Sequence, residues 1–300
     1  MPEVVEVRKT VDFLKKIVKN KYLMKISLLK GRYVTHEPFA LYNEIIEKLP
    51  LKIIDIKTKG KFIYFILENN FFIYSTLGLR GGWAFKKKSS NNYSFPKLID
   101  YINDNSLEKY RKISLNNLNV SFEIKDGGTV YYYDSLSFGT LKVVDNREEL
   151  DKKLKSIGPD IMEVSLSLFK DNIFKKNNLE KEIGNILLNQ KIVSGIGNYL
   201  RSDILWLSKI SPFRKVKDLS DKDIKIIFKN AKLLTLGEYN FSEAIKLNYI
   251  KLTDKLPKDY KRNFFAYNSD KDIYGNKVMA EKLYEGKEPR TIYWVPSRQI

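Results

Sequence analysis

The sequence predicts an α+β multi-domain protein: a mainly antiparallel β first half, a helical second half and a terminal β-hairpin. In the first half, short apolar and β-branched runs alternate with turn residues, as in Phe62–Leu67 followed by Asn69-Asn70. After Gly158-Pro159 the spacing of apolar residues changes to the three-and-four pattern of helices. A length of 300 residues also favours about two domains.

The first half begins with an amphipathic helix from Val4 to Val18, because apolar residues recur there at every third or fourth position. A strand-like segment follows over Tyr22–Val34, and Pro38 opens a short helix over Phe39–Leu49. Further strands are predicted at Lys52–Thr58, Phe62–Leu67, Phe71–Thr76, Leu118–Ile124, Val130–Tyr133 and Thr140–Val144. The polar stretch Phe85–Ile113 is interpreted as an inserted loop with some helix.

The second half begins with a helix over Arg147–Ile157, which Gly158-Pro159 ends. Helical periodicity then continues to about Leu247. The hairpin is predicted from two strand-like segments around a Gly286 turn, Val278–Tyr284 and Thr291–Val295. Because an isolated two-stranded hairpin is marginally stable in water, it must dock on the rest of the protein.

The composition excludes several classes of site. The chain has no cysteine, which excludes disulfides, iron–sulfur centres and cysteine zinc fingers, and its single histidine, His36, excludes multi-histidine metal sites. Its apolar runs are far too short for a membrane span and no signal peptide is present, so we expect an intracellular protein. A net charge of +18 favours a polyanionic partner, nucleic acid first. An AT-rich genome, which enriches lysine, is the alternative explanation of the charge.

The N-terminal Met1-Pro2-Glu3 provides a reactive group. Methionine before proline is normally removed, and the exposed prolyl amine can attack a sugar C1′ to form an iminium, an electron sink. Glu3 beside it is suited to donating and accepting protons. Alternatively, Pro2 simply precedes a helix whose positive end favours Glu3 and Glu6.

A second motif, Gln190–Leu200, contains Gly195-Ile196-Gly197-Asn198 between two helical stretches. A helix, a two-glycine turn and a second helix can bring backbone N–H groups close to a phosphate, and the Asn198 side chain adds a donor. An ordinary corner between two helices is the alternative.

Together these residues resemble the formamidopyrimidine-DNA glycosylase / endonuclease VIII family of DNA repair enzymes. The resemblance spans nearly the whole chain, and the order of the motifs makes it specific. The motifs are Pro2-Glu3 with Glu6, Gly60-Lys61-Phe62, Leu77–Gly81, Asp134 with Phe138-Gly139, Ile157–Asp160 and Gly195–Asn198.

The resemblance implies the fold: an N-terminal β-sandwich with a leading helix (1–157), a helix-two-turn-helix domain (158–265) and a C-terminal finger hairpin (266–300). Family members usually close the finger with a four-cysteine zinc site, whose last motif appears here as Val295-Pro296-Ser297-Arg298-Gln299. The chain therefore resembles the zincless-finger branch on the endonuclease VIII side. Apolar docking by Val278, Leu283, Ile292 and Trp294 is the expected replacement for the metal.

The resemblance also implies residue roles. Pro2 matches the nucleophile, Glu3 the proton shuttle, Glu6 an acidic residue that orders the active site, and Lys61 a lysine that holds the phosphate beside the lesion. Asn198, with Gly195 and Gly197 of its turn, matches the family's DNA-binding positions, as does Arg290 at the finger tip. Leu79 and Phe138 match the residues that fill the void left by a flipped nucleotide.

Three positions depart from the family pattern. Val5 replaces a usual proline, and Thr76 replaces a common histidine. Leu136 stands where an arginine normally hydrogen-bonds the base opposite the lesion. Leucine cannot make that contact, so we expect weak discrimination by opposite base unless another arginine, such as Arg80, supplies it.

These features predict a bifunctional DNA glycosylase and AP lyase of base-excision repair that acts through a prolyl Schiff base with β,δ-elimination. The expected substrates are oxidised pyrimidines, formamidopyrimidines and hydantoins, and the expected partner is double- or single-stranded DNA with oxidised bases or abasic sites. A monomer without cofactor, metal or membrane association is expected. The alternative function is a non-catalytic damaged-DNA binder on the same scaffold, which Leu136 and Val5 favour.

Overall fold

A computed structural model describes residues 2–96, 111–239, 264–285 and 288–300 of the chain. It divides the chain into two compact units. Unit 1 comprises Met1–Pro2 and Glu6–Ser156, and unit 2 comprises Glu3–Val5 and Ile157–Ile300. The further predicted division at residue 265 stays a prediction.

Unit 1 holds nine described strands in one antiparallel order, β6-β5-β8-β7-β1-β2-β3-β4-β9. Their bounds are β1 Tyr22–Leu28, β2 Leu51–Lys59, β3 Phe62–Leu67, β4 Phe72–Thr76, β5 Gly81–Lys87, β6 Tyr93–Ser94, β7 Leu118–Ile124, β8 Gly128–Asp134 and β9 Thr140–Val144. Four helices with both ends among the described residues belong to the same half: α1 Val4–Val18, α2 Arg32–Thr35, α3 Tyr42–Lys48 and α4 Arg147–Ser156. Residues 111–116 are also helical, in agreement with the helix expected within the predicted insertion.

The strand order folds into two packed layers. β1 and β2 pair only at Tyr22 with Lys52 and Leu23 with Leu51, so the sheet has a narrow joint there. Across the interior, the ring of Trp83 on β5 lies 5.2 Å from that of Phe65 on β3, and both side chains are buried. This is the predicted β-sandwich with its leading helix.

Two predictions in this unit are wrong in detail. The first strand stops at Leu28 instead of Val34, because Gly31 takes a positive φ of 76° and the chain turns into α2. The stretch from Phe85 does not begin as a loop, because β5 continues to Lys87 and pairs with β8 and β6. Residues 97–110 of that predicted insertion lie outside the described residues.

In the described residues of unit 2, helices precede a terminal hairpin, as predicted. Its helices are α5 Leu166–Ile173, α6 Ile183–Leu188, α7 Asn198–Ser208 and α8 Asp221–Tyr239, and its strands are β10 Met279–Glu285 and β11 Glu288–Trp294. The predicted Gly286 turn and the helical stretch expected from residue 240 to Leu247 lie outside the described residues. Within the described ranges, no helix combines the length and hydropathy that crossing a membrane requires.

The hairpin docks on the helices through buried hydrocarbon, as predicted for Val278, Leu283 and Ile292, which are at most 8% exposed. Trp294 is half-buried, and its ring lies 5.2 Å from that of Phe213. A polar contact supports the dock, since the Asn185 amide donates to the Tyr284 carbonyl at 3.1 Å.

Candidate active site and DNA-binding elements

The N-terminus of helix α7 binds the carboxylate of Glu3. Glu3 is fully buried, and its two oxygens accept hydrogen bonds from the backbone N–H groups of Gly197 (2.5 Å), Tyr199 (2.9 Å) and Leu200 (3.3 Å). The first N–H groups of a helix have no partner within the helix and carry its positive end. The site therefore stabilises a negative charge on Glu3 and fixes its position.

The two glycines of the turn make room for the N-terminal segment. A Cβ on Gly197 would lie 2.3 Å from the Glu3 carboxyl carbon, and a Cβ on Gly195 would lie 2.7 Å from the Cβ of Val4. Gly195 also has a φ of +103°, which L-residues rarely adopt. Because the Gly197 N–H is used by Glu3, the glycine pair here holds the N-terminal segment, a role that the turn motif alone does not indicate.

Asn198, the first residue of α7, is oriented by a buried arginine. Arg201 is fully buried and donates to the Asn198 side-chain oxygen at 2.5 Å, to the Thr291 carbonyl at 3.0 Å and to the Gly184 carbonyl at 3.2 Å. The Asn198 oxygen is thereby occupied, which leaves its amide group as a donor. Through the Thr291 carbonyl, the same guanidinium also fixes the position of the residue next to Arg290. The Arg290 side chain is exposed on β11.

Tyr267 joins this cluster and is absent from the sequence prediction. Burial, and after it the nearby Glu3 carboxylate, raise the pKa of Tyr267, and its hydroxyl is hydrogen-bonded to the Asn198 side chain. The buried Asp203 carboxylate holds the tyrosine's segment by accepting from the backbone N–H groups of Phe265, Ala266 and Tyr267 at 3.1–3.4 Å. The phenol thus remains a neutral group beside Glu3 and Asn198.

A signal in the sequence points to Arg201 and Asp203. Both stand on a helix whose buried face contains Leu200, Ile204 and Leu205, and charged residues among such positions are almost never fully buried without partners. Tyr267 has no comparable signal, because its place depends on contacts with residues far away in the sequence.

The other predicted catalytic residues lie in unit 1. Pro2 is half-buried and directly precedes Glu3 in the chain. Glu6 is half-buried in the first turn of α1, and Lys61 is half-buried in the turn between β2 and β3, next to Gly60 with a φ of 57°.

Two neighbouring loops of unit 1 expose the predicted void-filling residues. Leu79 follows β4 and Phe138 precedes β9, and these strand ends are joined by the 2.8 Å contact between the Thr76 and Thr140 hydroxyls. Leu79 is 37% exposed and Phe138 is 62% exposed. Leu136, 40% exposed, adds a third apolar side chain to this pair of loops.

Two polar residues hold the Phe138 loop in shape. The buried Asp134 carboxylate accepts from the backbone N–H groups of Leu136 (3.1 Å) and Gly139 (2.6 Å). The Arg32 guanidinium donates to the carbonyls of Ser137 (3.2 Å) and Gly139 (2.5 Å), the residues on either side of Phe138. The exposed phenyl ring is therefore presented by a rigid loop.

The hairpin residues do not fit the zinc that the fold family implies. Val295, which stands in the place of a cysteine, is fully buried, and the Arg298 guanidinium lies over the Trp206 ring at 4.1 Å. No group of three or more metal-ligating side chains occurs in the described ranges, and the sequence has no cysteine. The hairpin therefore offers no set of zinc donors.

The structure thus brings together Glu3, Gly195, Gly197 and Asn198 within unit 2, with Arg290 linked to them through Arg201. Pro2, Glu6, Lys61, Leu79 and Phe138 belong to unit 1.

Family models match three successive parts of the chain. Residues 1–141 match the formamidopyrimidine-DNA glycosylase N-terminal domain, residues 156–240 its H2TH domain and residues 249–299 its C-terminal domain. Among curated proteins, formamidopyrimidine-DNA glycosylase of Ureaplasma parvum is 30% identical over 79% of this chain and 78% of its own. That of Mycoplasma mobile is 27% identical over 85% and 84%.

Solved structures agree on the fold. Lactococcus lactis formamidopyrimidine-DNA glycosylase bound to DNA with an AP site superposes with a TM-score of 0.71, at 18% identity and 99% coverage of both chains. MutM bound to DNA containing carbocyclic 8-oxo-G gives 0.72, at 19% identity and 99% coverage of both chains. From its three matched domains and its curated relatives, the chain belongs to the formamidopyrimidine-DNA glycosylase family.

Proposed function

We propose that this DNA glycosylase of base-excision repair is bifunctional, removing an oxidised base and then cutting the strand as an AP lyase. The observation that supports the proposal is that the backbone N–H groups at the α7 N-terminus bind the Glu3 carboxylate. It fixes a carboxylate next to the prolyl nitrogen in the chain and next to Asn198, a phosphate donor, in space.

In the proposed reaction, the Pro2 nitrogen, freed by removal of Met1, attacks C1′ of a flipped nucleotide. The C1′–N bond to the base breaks, and the proton lost by the prolyl nitrogen passes to the departing base. The C1′–O4′ bond then opens as the prolyl nitrogen forms the C1′=N iminium, and O4′ takes a second proton, which solvent water supplies through Glu3. Loss of protons from C2′ and then C4′ expels the 3′ and 5′ phosphates.

Glu3 is assigned the proton transfers. Its three backbone N–H partners favour the ionised carboxylate, which is the form that can take the proton from the prolyl nitrogen. Glu6 is proposed to order the same site.

The DNA contacts follow from donors on both units. Lys61, the Asn198 amide and Arg290 are proposed to bind phosphates around the flipped nucleotide. Leu79 and Phe138 are proposed to fill the space that the nucleotide leaves, which restores stacking. Because these contacts are largely ionic, binding should weaken with salt by a slope of about −0.9 per phosphate neutralised.

The expected lesions are oxidised pyrimidines, formamidopyrimidines and hydantoins. Leu136 presents a hydrocarbon side chain to the space beside Phe138, so the opposite base gains no hydrogen bond from this position. We infer weak discrimination among opposite bases.

Borohydride trapping tests the proposal. The Met-processed protein is incubated with a labelled duplex carrying an abasic site or thymine glycol and then reduced. A covalent band that peptide mapping assigns to Pro2, absent in Pro2→Gly, is the expected result.

The second candidate function is a non-catalytic damaged-DNA binder, which the apolar Leu136 favours. It predicts no trapped band while lesion DNA still binds at nanomolar protein. That outcome would refute the lyase.

A further inference from the structure

A cavity of about 810 Å³ lies in unit 1, and none of the residues assigned to the repair reaction lines it. It is bordered by helix α4 and by residues of β3, β4 and β9, and Arg32 and Tyr33 also belong to its lining. Its volume falls within the range of about 300–1,000 Å³ typical of small-ligand sites.

The spacing of residues explains the lining. On α4, Lys152 and Lys153 lie three and four residues after Glu149 and four and three residues before Ser156, so these residues share one face of the helix. On the strands, Tyr74 pairs with Lys142 and Thr76 pairs with Thr140, which puts these side chains on the face opposite the core residues Ile73 and Val143.

The charges of the cavity sum to an excess of cations. Lys142 pairs with Glu149 at 3.2 Å, and just outside the lining Arg147 pairs with Asp151 at 2.9 Å, so both nearby carboxylates are neutralised. Lys152 and Lys153 form no ion pair with the part of the chain that the structure describes, and the Lys153 ammonium lies 5.4 Å from the centre of the Phe62 ring.

A buried hydroxyl points to a ligand. Tyr74 lines the cavity and is 7% exposed, and its hydroxyl has no hydrogen-bond partner among the described residues. Buried polar groups are rarely left without a partner. Burial, with Glu149 and Asp151 nearby, raises the pKa of Tyr74 to about 12, so the group is an O–H donor at neutral pH.

We propose that this cavity binds a nucleoside phosphate, with Lys152 and Lys153 on the phosphate, the Tyr74 hydroxyl as a donor, and Phe62 and Tyr74 as an apolar floor for the base. The two rings lie 5.0 Å apart, edge to face, and both line the cavity. An apolar floor beneath cations suits a ligand with a flat ring and an anionic group. The ligand is either a free nucleotide or the phosphorylated nucleotide at the end of a DNA strand.

Calorimetric titration of the full-length protein tests the proposal, with dAMP, inorganic phosphate and a short oligonucleotide carrying a 5′-phosphate or a 5′-hydroxyl. We expect saturable 1:1 binding of dAMP that is tighter than that of inorganic phosphate. Lys152→Glu should weaken it at least about tenfold, and Tyr74→Phe by about three- to tenfold, the ratio for one lost neutral hydrogen bond.

Lys155→Glu is the matched control, because it makes the same charge change on the same helix outside the cavity lining. It should leave dAMP binding within about twofold, since exposed charges outside contact distance are largely screened. If the protein binds the 5′-phosphorylated oligonucleotide more tightly than the 5′-hydroxyl one, and Lys152→Glu removes this preference, the ligand is the strand end. If there is no such preference while dAMP binds, the ligand is a free nucleotide.

Three results would overturn the proposal. One is no saturable binding of dAMP or of the 5′-phosphorylated oligonucleotide. Another is equal weakening by Lys155→Glu and Lys152→Glu, which would indicate non-specific attraction. The third is unchanged binding in Tyr74→Phe, a variant that retains the ring and tests the hydroxyl alone.

Discussion

Replacing Glu3 by glutamine separates the chemical and the structural roles of this side chain. One carboxylate oxygen accepts from Gly197 and Leu200, and the other accepts from Tyr199. An amide has one oxygen, so its NH2 group must face at least one of these N–H donors. The variant therefore loses at least one buried hydrogen bond and the negative charge at the helix end.

The size of the effect follows from these losses. A hydrogen bond to a charged group contributes about 1.5–3 kcal/mol. The charge at a helix N-terminus contributes about 0.3–1 kcal/mol, and up to about 2 kcal/mol when partly buried. We expect Glu3→Gln to lower the free energy of unfolding by about 2–4 kcal/mol in urea titrations followed by circular dichroism. Glu180→Gln, a change at an exposed carboxylate of the same unit, should leave the free energy of unfolding nearly unchanged, because solvent screens its ion pairs with Lys215 and Lys217.

Activity provides the second readout. Loss of a general acid–base lowers rates by about 10²–10⁴-fold, so removal of thymine glycol should fall by at least 100-fold. Borohydride trapping at a preformed abasic site needs the prolyl amine and no departing base, and it should persist. Excision within about tenfold of the parent would refute the assigned proton transfers. Parallel loss of trapping and of abasic-DNA binding would show that Glu3 acts only by holding α7.

Four further outcomes are expected. Gly197→Ala should displace the Glu3 carboxylate from the α7 N-terminus and so reproduce the excision defect although residue 3 is still glutamate; single-turnover assays would show this. Normal excision would contradict the close approach of Gly197 to the Glu3 carboxyl group. Arg201→Lys should weaken binding of abasic-site DNA by about tenfold, because lysine cannot hold Asn198 and the hairpin carbonyl together; unchanged affinity would argue against this link. Leu136→Arg should increase the spread of excision rates across the four opposite bases by about fivefold or more, since a bidentate arginine–base contact is worth about 1–3 kcal/mol; an unchanged spread would remove Leu136 as the cause. The pKa of Tyr74 is about 12 when folded and near 10 when unfolded, so stability should fall as pH rises through this window, and Tyr74→Phe should flatten that part of the urea midpoint–pH curve.

The local pattern of the sequence predicts most of the fold. The apolar run Phe62–Leu67 coincides with β3, which is buried at five of its six positions. The run Thr140–Val144 coincides with β9, where buried and exposed positions alternate from Thr140 to Val143. The sequence does not predict β5, because the strand begins with Gly81-Gly82 and ends with Lys86-Lys87, which are not typical strand residues. Its pairing with β8 on one side and β6 on the other determines the strand. Local pattern carries no information on such pairing.

The candidate site, like the fold, is predicted from the sequence only in part. Pro2, Glu3 and Asn198 stand in motifs whose order can be read along the chain. That Glu3 occupies the N–H groups of the glycine turn depends on a contact across nearly 200 residues of sequence. The Asp203 support of Tyr267 spans more than 60 residues, so neither spacing nor composition indicates it.

The thiol-free hairpin has a consequence for when this protein can work. Oxidised bases arise under conditions in which peroxides also attack thiolates, and a cysteine zinc site would lose its ligands by that chemistry. Here Leu283 and Ile292 are buried, and the Arg298 guanidinium lies over the Trp206 ring, so none of these three positions depends on a thiolate. The hairpin that carries Arg290 therefore has no cysteine ligand to lose under the oxidising conditions that damage bases.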